Sequence, residues 1–156
     1  MKLSEYLVHP GFLIRRCNQA LTGMFLEQAA PYGVTAPQLA TLHAVSENPG
    51  LDQGRIAEII ALDRSTIGAI VDRLVARKLL LVKSARHDRR MKLLSITNAG
   101  TEILTQLLRL LAPVQHRFLA PLSPPERVQF LDMLQRLAEA HNDASRVTQA
   151  PPKLAV

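Results

Sequence analysis

A winged helix-turn-helix set in a larger helical region is the fold this sequence predicts: mostly α, with a small β-wing. Three observations carry the expectation. Two short helical patterns stand back to back, Ile56, Ile59 and Ile60, then Ile67, Ile70, Val71 and Leu74. Asp52 and Asp63 precede them as N-caps do, and Ala61-Leu62 leaves room only for a tight turn. A strand-like run, Leu79 to Lys83, then leads through a basic tip, Ser84 to Arg90, to a returning run, Met91 to Thr97, with Leu94 and Ile96 at period two.

The elements follow in order. After a lead-in from Met1 to His9, Pro10 suits the first turn of a helix whose apolar stripe is Leu13, Cys17, Ala20, Leu21, Met24 and Phe25. Pro31-Tyr32-Gly33 ends it. Thr35 to Gln38 is a capping-box pattern, opening a second helix that buries Leu39, Leu42, Ala44 and Val45. Asn48-Pro49-Gly50 breaks that helix before the helix-turn-helix begins. From Thr97 a long helix carries Ile103, Leu104, Leu107, Leu108, Leu111 and Val114. Pro113 should kink or interrupt it, and Pro121 stops it. Ser123-Pro124-Pro125-Glu126 caps a last helix with a stripe of Val128, Leu131, Leu134, Leu137 and Ala138.

The terminal helices carry more apolar surface than one small domain covers, and such surface marks an interface. The expected division is therefore a helical dimerisation region over 1–34 and 98–143, a winged domain over 35–97 and a flexible tail over 144–156.

Composition narrows the function. The 156 residues are 47% hydrophobic, so a real core forms, but only 4% aromatic with no Trp, which disfavours stacking on single-stranded bases. Nineteen Lys and Arg against thirteen Asp and Glu leave +6, a balance suited to a polyanion. No run spans a bilayer and the N-terminus is no signal peptide, so a cytoplasmic protein without a membrane partner is expected. The single Cys17 excludes an intrachain disulfide. No glycine-rich phosphate loop, zinc spacing or nucleophile motif is present, so neither an enzyme nor a cofactor is expected.

Double-stranded DNA is the partner the winged pattern points to. The recognition helix, Arg64 to Arg77, turns Ser65, Thr66, Gly68, Ala69 and Arg73 away from its buried side, with Arg64 at its start. Hydroxyls near a helix N-terminus bond phosphates or base edges. Capping by Asp63 weakens the alternative that Ser65 and Thr66 only cap. Gly68 and Ala69 are small enough to let the helix sit deep, and Ala69 can meet a thymine methyl. On the wing, Arg86, Asp88, Arg89 and Arg90 form a cationic tip around one acid, and Lys83 and Lys92 add to its field.

The run LDRSTIGAIVDRL, followed by DRRMKLLSIT and a helix opened by Thr97-Asn98-Ala99-Gly100, resembles the MarR family of transcriptional regulators over roughly 10–141. The family often has Gly in the helix-turn-helix turn and after the recognition helix, where this chain has Ala61 and Lys78. The resemblance implies a homodimer. It also implies that Asp88 and Arg90 pair, that Arg90 enters the minor groove, and that a small anionic aromatic effector or its coenzyme A thioester binds between dimer helices and winged domain. Arg15 and Arg16, near His9 and Phe12, are the candidate anion clamp. His43 and His116 are weaker candidates. Two rivals stand beside this reading: oxidant sensing through Cys17, set against a buried cysteine acting as a small hydrophobe, and a winged module that holds protein rather than DNA.

Overall fold

Side chains that satisfy free backbone amides begin most of the helices. A computed structural model describes residues 2–84, 91–144 and 149. In order come α1 (Leu3–Tyr6), α2 (Pro10–Ala29), a 3-10 turn (Ala30–Tyr32), α3 (Ala36–Glu47), α4 (Gln53–Ile59) and α5 (Arg64–Ala76). Strands β1 (Leu80–Ser84) and β2 (Lys92–Ile96), then α6 (Asn98–Leu119) and α7 (Pro124–Ala140), complete the chain. Capping boxes at Thr35/Gln38 and Ser123/Glu126 open α3 and α7. Asp52 caps α4, accepting from the amides of Gly54 and Arg55.

Both helices of the helix-turn-helix end in the same way. Ala61 donates its amide to Glu58 O and Leu62 to Ala57 O; Lys78 donates to Val75 O and Leu79 to Leu74 O. These are Schellman closures, which need a left-handed residue after the cap. Ala61 (φ 53°) and Lys78 (φ 59°) supply it without being glycine, at about 1 kcal/mol each.

The hairpin pairs Leu80 with Ile96 through to Ser84 with Lys92. The middle of β2 is sewn to the entrance of α4: Gly50 N–H donates to Leu94 O (2.9 Å) and Leu94 N–H to Leu51 O (3.0 Å). Thr97 locks the other side. Its hydroxyl accepts from Gly100 N–H (2.9 Å) and donates to Lys78 O (2.8 Å). A Cβ on Gly100 would overlap the Leu79 carbonyl oxygen and lie 2.7 Å from Ile96 Cγ1, so only glycine allows this approach. Leu42, Ile56, Ile67, Leu74, Leu80, Leu94 and Leu107 are fully buried in the core these elements share.

Several expectations are corrected. Pro113 does not interrupt α6. It removes one helical donor, but the turn beyond it is anchored by the burial of Val114 in the core. The recognition helix stops at Ala76, because Arg77 is its C-cap. Ile59 and Ile60 are half-buried, since α4 is already closing there. The lead-in contains a helical turn, α1. The tail beyond residue 144 lies outside the described residues apart from residue 149.

The terminal stripes form as helices but are not covered. On α2 only Phe25 and Ala29 are buried, while Leu13, Cys17 and Ala20 face outward. No residue of α7 is buried; Val128 is 70% exposed, Leu131 55% and Leu137 53%. Among the described residues no helix is long and apolar enough to cross a membrane.

Candidate nucleic-acid interface

Helix α5 is fixed by the side it buries. Ile67, Ile70, Val71 and Leu74 all enter the core, which turns Arg64, Ser65, Ala69 and Arg73 outward. The Asp63 carboxylate organises its first turn. It accepts from the Thr66 amide (2.8 Å), the Ser65 hydroxyl (2.5 Å) and the Thr66 hydroxyl (2.6 Å). The Ser65 hydroxyl, then the Thr66 hydroxyl and amide, hold the Asp63 carboxyl well below the usual carboxylate range.

This overturns the argument that capping by Asp63 frees the two hydroxyls for DNA. Both donate to the cap itself. A phosphate offers only acceptors, so bonding one would require breaking an Asp63 bond. With their lone pairs the hydroxyls can still accept from base amino groups.

Gly68 also differs from expectation. It is half-buried, and the Gln53 side-chain nitrogen lies 3.7 Å from where its Cβ would stand. The Gln53 side chain of α4 thus packs beside Gly68 at ordinary contact distance, and Ala69 alone of the pair is exposed. Gln53 also lines an open cleft of about 590 Å3, with Asp52, Gly54, Arg64, Ile67, Met91 and Lys92, between the helix-turn-helix and the wing base. Nothing in the sequence marked Gln53, because its place depends on how α4 crosses α5. Arg86, Asp88, Arg89 and Arg90 lie outside the described residues. Lys83 and Lys92 are exposed on the strands leading to them.

Arg77 was read as the end of the recognition helix, and it has a different partner. Its guanidinium donates to Gly33 O (2.7 Å) and Tyr32 O (2.6 Å), a charge-assisted fork that ties the end of α5 to the end of α2. The fork spans more than forty residues of chain, out of reach of any local pattern.

The four proposed effector residues are on or beside the first turns of α2. Arg15 stacks over the Phe12 ring at 5.0 Å and donates to Gln19 Oε1 (3.1 Å); Tyr6 meets the Phe12 edge, ring centroids 5.4 Å apart. A cation over an aromatic face beside a second ring suits a planar anion. His9, at the N-cap of α2, and Arg16 are exposed and join no such cluster. Cys17 is exposed rather than buried, so the small-hydrophobe account does not apply within one chain. Among the described residues no cluster of His, Cys, Asp and Glu is placed to hold a metal. His43 and His116 are exposed on α3 and α6.

Known proteins share this arrangement. A family profile described as the MarR family matches residues 32–91. The HTH-type transcriptional repressor NicR of Pseudomonas putida is 28% identical over 134 residues, 86% of this chain and 85% of its own length. The PcaV transcriptional regulator of Streptomyces coelicolor, solved with its natural ligand, is 37% identical with a TM-score of 0.80, covering 90% of this chain and 96% of that one. The transcriptional repressor CouR, solved on a 23-mer DNA duplex, is 28% identical with a TM-score of 0.79, covering 88% and 98%.

Proposed function

The chain belongs to the MarR family of transcriptional regulators, and from that premise we propose that it is a homodimeric repressor of a pseudo-palindromic duplex, released by a small aromatic acid or its coenzyme A thioester. The observation that carries the reading is a contrast within one chain. Helix α5 turns polar and cationic residues outward, while α2 and α7 leave apolar side chains uncovered. Residues 1–34 and 98–143 make the dimer, and 35–97 read DNA. Arg64, Ser65, Thr66, Ala69 and Arg73 meet the major groove, with Gly68 setting how closely α5 approaches. Arg86 and Arg89 hold phosphates, and Asp88 orients Arg90 into the minor groove. PcaV with its ligand and CouR with its duplex support both halves of the reading.

On the effector side, Arg15 is the carboxylate clamp and Phe12 the wall against which the ring lies; His9 and Arg16 border the site. An effector weakens DNA binding only if it prefers the DNA-incompetent spacing of the two winged domains, and DNA must then weaken effector binding by the same factor. Duplexes enriched from a random pool should be pseudo-palindromic, and a panel of benzoic-type acids should release them. Arg15→Ala should keep duplex affinity and lose the response, and Arg15→Lys should restore it only in part, since a point charge lacks the fork. A wild-type response in both Arg15→Ala and Arg16→Ala places the anion elsewhere. The exposure of Cys17 favours one second reading, release by peroxide; there Cys17→Ser abolishes release and no organic acid acts.

A further inference from the structure

Gly68 of α5 is half-buried, and the carboxamide of Gln53 lies beside it at contact distance. We propose that Gln53, the first residue of α4, is a sequence-reading residue of the DNA interface and recognises an adenine edge in the major groove. The inference rests on the DNA-binding reading above and adds to it a reader from outside the recognition helix.

Three observations converge on this residue. The Gln53 nitrogen lies 3.7 Å, ordinary contact distance, from where a Cβ on Gly68 would stand, so Gln53 packs beside the turn of α5 that carries Gly68. Its carbonyl oxygen is buried and has no hydrogen-bond partner among the described residues. A buried acceptor left unpaired is costly and uncommon in folded proteins, and Met in the same place would fill the space without one. The side chain also lines the cleft flanked by Arg64 and Lys92, two cations suited to draw a DNA strand toward it.

The chemistry selects the base. The carboxamide offers one donor group and one acceptor, which match adenine N7 and N6 together. Swinging the half-buried side chain outward about its sp³ torsions, between staggered rotamers, presents the nitrogen and the unpaired oxygen together at the groove. The adenine amino group then supplies the donor that the free chain lacks.

The test uses the full chain and the duplex that wild type enriches from a random pool, with every base pair of that duplex substituted in turn. Gln53→Met should fold with an unfolding midpoint at or above that of wild type and leave the salt dependence of binding unchanged. Discrimination at one A·T position of each half-site should fall by about 5- to 150-fold. Gln53→Glu, which keeps the shape and loses the donor, should lose the same preference. Retained discrimination at every position overturns the proposal. So does a uniform loss with a shallower salt slope, which assigns Gln53 to phosphate, or unfolding of both variants, which makes it structural. Failure of wild type to enrich any duplex is a separate outcome and removes the underlying reading as well.

Discussion

The helix-turn-helix and the terminal helices carry the same kind of apolar stripe and treat it in opposite ways. In α3, α4 and α5 the side chains that recur at helical spacing, such as Leu42, Ile56, Ile67 and Leu74, are closed over by their own chain. In α2 and α7 equally regular side chains, Leu13, Leu131, Leu134 and Leu137, stay uncovered. The first region is finished by short-range devices: an Asp cap before each helix of the motif, a Schellman closure after it, and a hairpin bonded to the entrance of α4. In the second, α7 has a capping box but buries no residue, and α2 lies against its own chain mainly toward its C-terminal end, through Phe25 and Ala29. Periodicity therefore reports that a helix forms and which face is apolar, but not which chain covers that face.

The sharpest way to break the comparison is to charge the uncovered face. Leu131→Asp or Leu134→Asp should convert a dimer to monomers or aggregates, because a charge is not buried unpaired. The winged half should keep its circular-dichroism signal and cooperative melting. Light scattering reads the result, and a monomeric wild type removes the proposed role of α7. Next in size is Gly100→Ala, aimed at the closed half. The added methyl must displace the Leu79 backbone or Ile96, so denaturant titration should show a loss of about 1–3 kcal/mol.

Asp63→Ala should lower the thermal unfolding midpoint by removing a cap, and it frees both hydroxyls of the first turn. The same group sets an acid limb. Its folded-state pKa lies below the ordinary 3.8, so its contribution is complete above that pH and is lost as pH falls through the folded value. Asp63→Asn should flatten that limb in acid titrations of unfolding. The smallest expected effect is a gain. Ala61→Gly or Lys78→Gly relieves a left-handed strain but frees the unfolded chain, for a net of up to about 1 kcal/mol in thermal melts. A loss in both would show that the two Schellman turns are not strained.

What could be read from the chain before folding was local. Asp52, Asp63, Thr35 and Ser123 announce helix starts because a cap acts within three residues of its partner, and Ile67, Ile70, Val71 and Leu74 share a face because the helical period is fixed. Ala61 and Lys78 stand where the family often has glycine, and both adopt the left-handed conformation that glycine favours. The uncommitted surface of the first and last helices was also legible as an excess of apolar positions. What was not legible depends on long-range placement. Arg77 looks like another cation of the recognition helix until its fork meets Tyr32 and Gly33 across the fold. Gln53 is an unremarked polar residue until α4 crosses Gly68. Ser65 and Thr66 illustrate a third limit: the cap expected to leave their hydroxyls to DNA takes the protons of both.

The central claim is that the closed half of this molecule grips duplex DNA through several phosphates, and a salt titration of duplex binding tests it most directly. With +6 per chain and cations on α5 and the wing, log affinity should fall steeply and linearly with log salt. The slope should be about −0.9 for each phosphate neutralised, so several contacts on two protomers give a slope well beyond −1. A flat line, or no duplex binding even at low salt, would contradict the account.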